Sequence, residues 1–353
     1  LLESQWNEFD EMVEALDMPF YYVAGNHDIS NPWMEKQWRE RLGDPYYHFE
    51  YKGALFLALH TEDGGASGIS REQGEYFAKV LAERADVRWT FVFMHRPLWS
   101  YANQQGFERI AEALEGRRYT LISGHHHNYY YEPDAAGNGR LILGTAGGGS
   151  HLRGAEFGEF DHVTHVALTQ DGPKITHLKL DGFVDKAVVN KANRPQVEAL
   201  RSGSFVTVAP SVANEALVES LAGVARVTNP AAAPLRVRLA FPQGAGFRFE
   251  VGDPELSLKA KQSRELAFRL LPQGEERIDL AQLPQLFVEA TGVYAAGSDG
   301  ELSLPAKKLW RVDWKRTLPL ERGLKVQADG RLGDWKGAQW QELDPPGYME
   351  EGW

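Results

Sequence analysis

The first half of the chain alternates two periodicities, and the second half settles into one. Leu1 to Leu16 carries the spacing of an amphipathic helix, and Pro19 to Ala24 reads as a short apolar strand running into Gly25-Asn26-His27-Asp28. Gln37 to Leu42 reads as helical, and Tyr47 to Tyr51 with Ala54 to His60 reads as a hairpin turned at Lys52-Gly53. Ser70-Arg71-Glu72-Gln73 is a capping-box pattern that opens a helix through Phe77, Val80 and Leu81. Trp89 to Met94 is a buried-strand run ending at His95, Phe107 to Leu114 a helix, and Tyr119 to Ser123 a strand ending at Gly124-His125-His126-His127. Leu141 to Leu143, His162 to Leu168 and Ile175 to Leu180 read as further strands. This is α/β sequence whose strands repeatedly end in polar, His-bearing loops, and open α/β sheets bind ligands at the carboxyl ends of their strands.

Residues 183–203 lose the strand pattern and read as a polar, partly helical linker. From Ser204 short alternating runs recur at Phe205 to Val208, Leu235 to Phe241, Leu256 to Leu258, Leu266 to Leu270 and Phe287 to Ala290, with turns such as Asn229-Pro230 between them. That pattern predicts a β-sandwich over 204–314. A third segment, 315–353, carries Ala328-Asp329-Gly330-Arg331-Leu332-Gly333-Asp334-Trp335 and stops at Trp353.

Composition narrows the chemistry. All 11 histidines lie between His27 and His177, so imidazole chemistry belongs to the first half. There is no cysteine, which leaves His, Asn, Asp and Glu as metal ligands and suits Mn, Fe, Zn or Mg. The net charge of −11 and the lack of a Lys/Arg cluster argue against a nucleic-acid binder. No apolar run approaches the ~20 residues of a membrane span.

Three strand-end loops carry the chemistry: Gly25-Asn26-His27-Asp28, His95-Arg96-Pro97 and Gly124-His125-His126-His127. Phosphate ester hydrolysis needs a nucleophile at neutral pH and stabilisation of growing negative charge, and two metal ions about 3.5–4 Å apart supply both. On extended backbone a His-x-His pair points both rings to one face. His125 and His127 are then expected to address neighbouring metals while His126 points away.

In combination these loops resemble the last three of the five signature blocks of the calcineurin-like metallophosphoesterases, over roughly residues 1–182. The resemblance implies a two-sheet α/β metallophosphoesterase sandwich flanked by helices, here followed by an all-β, immunoglobulin-like sandwich. It implies a dinuclear centre of Mn, Fe or Zn, with Asn26, His95 and His125 on one ion and His127 on the other. It makes His27 the unligated histidine that contacts phosphate and protonates the leaving oxygen, with Asp28 orienting it. The family's two opening blocks, Asp-x-His and Gly-Asp-x-x-Asp, are absent, and Asp10 and Asp17 stand outside any such motif. Leu1 resembles a position inside the helix that follows the second block. An N-terminal truncation, impaired activity and an incompletely covered sheet are therefore expected.

Weaker signals divide. Gly144 to His151 reads as a substrate loop that includes Gly148, or equally as a flexible strand connection; it lacks a P-loop ending. Arg96 reads as a substrate-phosphate contact or as a surface ion pair. Asp161, His162, His165, His48, His60 and His177 read as structural. Gln327 to Trp335 resembles the opening of a family-nine-type carbohydrate-binding module and suggests a sugar partner. The leading expectation is a metal-dependent phosphomonoesterase or phosphodiesterase, periplasmic or extracellular. The alternative is an exported binding or cell-surface protein with a degenerate phosphoesterase domain. A different His-based metalloenzyme fits poorly, because no His-Glu-x-x-His helix is present.

Overall fold

The computed structural model describes residues 3–65, 67–103, 106–244, 246–296 and 300–315. The segment that resembles a carbohydrate-binding module, Gln327 to Trp335, lies outside the described residues.

The first half contains α1 (Glu3–Glu14), α2 (Pro32–Leu42), β1 (Tyr47–Tyr51), β2 (Ala54–Leu59), α3 (Arg71–Glu83), β3 (Trp89–Met94), α4 (Glu108–Ala113), β4 (Tyr119–Ser123), β5 (Tyr130–Pro133) and β6 (Gly139–Ile142). Strands β7 (Val163–Thr169), β8 (Gly172–Lys179) and β9 (Gly182–Asp185) then lead into helix α5 (Arg194–Ser202). The expected linker is thus ordered as an edge strand and a helix.

Two sheets result. The larger has the order β1-β2-β3-β4-β6-β5, and the smaller is β7-β8-β9. Strands β2, β3, β4 and β6 run parallel. Their carboxyl ends, and the loops beyond them, therefore share one edge of the sheet. The β1–β2 hairpin pairs Tyr51 with Ala54 around Lys52 (φ 49°) and Gly53 (φ 74°), the paired left-handed conformation that suits the twist of a two-residue hairpin. Ser70 caps α3 by accepting the Gln73 N–H at 3.2 Å. Asn31 caps α2, accepting from Trp33 N and Met34 N, with Pro32 at the first turn. That cap starts the helix earlier than the expected Gln37.

The expected strand Pro19 to Ala24 does not form. The segment is outside every ladder. Tyr22 instead satisfies its backbone through one side chain: the Tyr47 hydroxyl donates to Tyr22 O at 2.8 Å and accepts from Tyr22 N at 2.9 Å. An apolar run supplies the burial for a strand but not the partner whose hydrogen bonds define one.

One face of the larger sheet packs Leu55, Leu57, Leu59, Val92, Met94 and Leu121 against Phe77, Val80 and Leu81 of α3 and Ile110 of α4. On the other face a cavity of about 800 Å³, lined by Phe56, Phe91, Phe93, Ile122, Val166 and Ile175, separates the two sheets.

The second half comprises β10 (Val206–Val208), β11 (Ser211–Ala213), β12 (Leu217–Val218), β13 (Leu221–Thr228), β14 (Leu235–Ala240), β15 (Phe247–Val251) and β16 (Glu255–Leu258). It continues with β17 (Ser263–Pro272), β18 (Ile278–Asp279), β19 (Leu286–Ala296), β20 (Gly300–Trp310) and β21 (Val312–Trp314). Two four-stranded antiparallel sheets, β10-β13-β17-β15 and β16-β14-β19-β20, form the sandwich, the layout of immunoglobulin-like domains. Strands β13, β15 and β20 were not anticipated. In β13 the inward positions include Gly223, where a Cβ would stand 2.3 Å from the Phe268 ring, so this strand exposes little of the large-residue alternation that marks the others. One continuous core joins the halves, running from Phe157 and Phe160 through Val197 and Leu200 of α5 to Phe205 and Trp310.

Candidate metal centre

The parallel strands determine which loops meet. Residues after β2 (His60 to Asp63), after β3 (His95, Arg96) and after β4 (His125 to His127) leave the same sheet edge, and the Gly25 turn folds over them. Gly25 is required by space: a Cβ there would lie 3.0 Å from His95 Nδ1 and 3.1 Å from Asp28 Oδ2.

Three expected ligands converge. Asn26 Oδ1 is 2.7 Å from His95 Nε2, and His95 Nε2 is 3.2 Å from His125 Nδ1. Those are spacings of neighbouring ligands held about 2.0–2.2 Å from one ion. Burial, then the adjacent His125 and Arg96, lowers the His95 pKa to about 4. Burial and Arg96 also lower that of His125. Both rings are neutral at pH 7, as ligands must be.

Protons in this trio can be assigned by elimination. Arg96 has only donors, so its Nη1 at 2.9 Å makes His125 Nε2 an acceptor. Neutral His125 then carries its proton on Nδ1, facing His95 Nε2. Asn26 must either turn its amide nitrogen to His95 Nε2 or set oxygen lone pairs against it. The lone pairs of Asn26 Oδ1 and His95 Nε2 would both be satisfied if these two residues held a cation between them. For His125 Nδ1 to join, its proton must move to Nε2 and Arg96 must withdraw. Asn26 and His95 therefore fit a metal directly, and His125 fits on that condition.

His127 stands apart from the trio. Its Nδ1 lies 2.6 Å from Gly149 O, so Nδ1–H donates and the neutral form of the ring carries its lone pair on Nε2, the tautomer of many metal-bound histidines. Contrary to the expectation of extended backbone, His125 (φ 67°) and His127 (φ 54°) both adopt left-handed backbone. Strand β4 ends at Ser123, and the chain turns so that consecutive rings diverge. His126 is exposed, with its pKa lowered by partial burial and by Arg194 and Arg201.

His27 is exposed on the turn. The Asp28 carboxylate accepts the Gly25 N–H at 2.9 Å and braces the turn rather than bonding to the His27 ring. Burial raises its pKa, opposed by the Gly25 bond and by His27. Arg96 is mostly buried, at 19% side-chain exposure against 12% for its partner Glu62, with Nε–Oε1 2.5 Å. It is not the surface pair considered from sequence. Gly148 is exposed on a loop pinned where Asp161 Oδ1 accepts from Thr145 Oγ1 at 2.6 Å and Gly147 N at 2.9 Å.

His162, just before β7, is buried, and His165 within it is exposed. His162 packs with Tyr129, Phe160 and His177. The sequence reading missed Glu62 and the Gly149 carbonyl. The signal for Glu62 was its place just beyond a strand parallel to β3. Among the described residues no group of three or more His, Asp or Glu is gathered closely enough to hold a metal alone.

Residues 3–129 match the family model of the calcineurin-like phosphoesterases, so this part of the chain is a calcineurin-like phosphoesterase domain. Among curated proteins, the serine/threonine-protein phosphatase CPPED1 of Bos taurus is 25% identical over 195 residues, covering 49% of this chain and 59% of that protein. CPPED1 of Rattus norvegicus is 32% identical over 92 residues, covering 24% and 30%. CPPED1 of Mus musculus is 28% identical over 148 residues, covering 35% and 47%. The chain thus spans between about a third and three fifths of these relatives' lengths.

Among solved structures, PapD-like domain 7 of human CEP192 aligns at TM-score 0.19 and 10% identity, covering 30% of this chain and 84% of that one. The YadV chaperone aligns at TM-score 0.20 and 16% identity, covering 35% and 55%.

Proposed function

We propose that the protein hydrolyses phosphate esters with a dinuclear metal centre and is exported. The observation that carries this reading is the convergence of Asn26, His95 and His125 from three loops within 3.2 Å contacts. Asn26, His95 and His125 would hold one ion, and the free Nε2 of His127 would serve the other. When bound, such a pair supplies an activated nucleophile and positive charge for the phosphoryl oxygens. The chain's own residues do the rest. Asp28 holds the turn through Gly25 N–H, which places His27 on the exposed rim, where its ring delivers a proton to the leaving oxygen. Arg96, released from His125, turns its guanidinium to the phosphoryl group. The CPPED1 relatives, by their name protein phosphatases, add phosphoproteins to the candidate monoesters and diesters.

A second reading is favoured by one observation: no Asp or Glu joins the trio among the described residues. It holds that the domain is degenerate and that the sandwich carries a binding role. Hydrolysis of p-nitrophenyl phosphate and of its bis ester by the full-length gene product separates the two, with Mn²⁺, Zn²⁺ and Fe²⁺ each tested. Activity abolished by His95→Ala is the expected result, and the preferred ester narrows the class. A folded protein that cleaves neither ester with any ion overturns the enzyme reading.

A further inference from the structure

The rim beside His127 does not end at the phosphoesterase domain. A cleft of about 650 Å³ runs from His127 and Ser150 to helix α5 and on to Pro230 of the sandwich. Its floor is an ion cluster that the metal site does not use. Arg153 holds Glu159 with two bonds, Nε–Oε2 at 2.5 Å and Nη2–Oε1 at 2.6 Å, and its Nη1 donates to Arg201 O at 3.1 Å. Arg201 Nε lies 3.0 Å from Glu159 Oε1, yet its N–H is not aimed at an acceptor.

Two guanidinium groups thus share one carboxylate. Glu159 is 4% exposed, whereas Arg153 and Arg201 keep 26% and 22% of their side chains open. Glu198, also on the wall, is neutralised by Arg194 at 2.5 Å. One positive charge is left over, in a protein whose net charge is −11. Partial burial makes that excess more costly, and an incoming anion repays the desolvation already incurred.

We propose that this cleft binds a second anionic group of the substrate, a carboxylate or phosphate displaced from the scissile ester, with Arg201 and Arg153 determining specificity. The proposal rests on the phosphoesterase reading for what lies at His127, and the closing experiment reads the two separately, by binding preference and by hydrolysis. It also gives α5 and the sandwich a role, as the wall that selects what the ester is attached to.

Three non-hydrolysable probes decide it by calorimetric titration of the chain in Mn²⁺-containing buffer: phenylphosphonate, 4-phosphonobenzoate and benzene-1,4-diphosphonate. The two doubly anionic probes are expected to bind roughly three- to fivefold more tightly than phenylphosphonate, and their order tells carboxylate from phosphate. Arg201→Gln, which leaves Glu159 paired with Arg153, should erase the preference. Glu159→Gln, which raises the excess charge, should enlarge it. A structural role alone would make both substitutions weaken binding. Equal affinity for all three probes, no binding of the doubly anionic ones, or both variants shifting the preference in the same direction overturns the proposal. Tight binding with no hydrolysis of either ester by the full-length gene product would leave the cleft standing and remove the phosphoesterase reading.

Discussion

The α/β half and the sandwich bury their strands differently, and the difference explains why one carries chemistry. In the sandwich, β14 alternates buried and exposed residues without exception, and β13 nearly so. In the α/β half, β2 and β3 are buried almost throughout, because helices cover one face and the small sheet lies over the other. Antiparallel strands return on themselves through short turns, so each turn meets mainly its neighbours. Parallel strands all end on one edge, so loops from different strands meet there, as those carrying His95 and His125 do, while the Gly25 turn brings Asn26 to His95. The sandwich is a packing solution without a histidine, whereas the α/β half spends polar, strained backbone at one edge.

The strongest test of that division is Trp310→Ala. Trp310 is 2% exposed, packs edge-on to Phe268 at 4.9 Å and donates Nε1–H to Ser211 Oγ at 3.1 Å. Its truncation should cost about 3–5 kcal/mol in urea unfolding while leaving Mn²⁺ affinity of the folded protein unchanged. A loss of affinity in the folded protein would mean that the two halves are not separable in this sense.

Acid should attack the α/β half first. His177 is fully buried, its Nε2 has no partner, and Nδ1 meets Thr164 Oγ1 at 3.0 Å. Burial, reinforced by His162 and opposed by Asp185, lowers its pKa to about 4. Between that value and the unfolded value near 6.5 the unfolded chain binds more protons, so stability falls as pH drops through this window and levels off below it. The full effect is on the order of 3 kcal/mol. His177→Leu should flatten the pH dependence of the unfolding midpoint from pH 6.5 to 4.5, and an unchanged slope would assign the acid sensitivity elsewhere.

What could be read from sequence follows the same division. The three His loops were legible because each is local: an apolar run, then its polar end. The sandwich was legible wherever large residues alternate, and β13 escaped because small residues fill inward positions, Gly223 opposite Phe268 and Ala225 opposite Leu266. Pro19 to Ala24 misled because its apolar pattern is real and its strand partner is a tyrosine hydroxyl. Glu62 with Arg96, and Glu159 with Arg201, join residues 34 and 42 positions apart. No periodicity encodes such pairs, since they depend on how the strands are ordered.

Arg96 offers a smaller effect with an informative sign. Its Nη1 holds His125 Nε2 as an acceptor and keeps Nδ1 protonated, against metal binding. The double variant Arg96→Met with Glu62→Gln removes the guanidinium without freeing its carboxylate partner. Mn²⁺ should then bind about tenfold more tightly, the equivalent of ~1.4 kcal/mol, while turnover of a phosphate ester falls. Weaker binding would show that Arg96 organises the trio rather than competing with the ion.

The smallest expected effect lies on the sandwich surface. Arg226 and Glu265 face each other across β13 and β17 at 2.8 Å, with side chains 61% and 56% exposed. Water screens such a pair, and fixing two long side chains offsets much of the attraction, so Glu265→Gln should shift stability by less than about 1 kcal/mol. The contrast is with Glu159, at 4% exposure between two arginines, where the same chemical change moves a charge that solvent does not screen. If urea unfolding gave Glu265→Gln a cost well above 1 kcal/mol, the sandwich face would hold organised electrostatics of its own. Charge would then not be reserved for the edge where the parallel strands end.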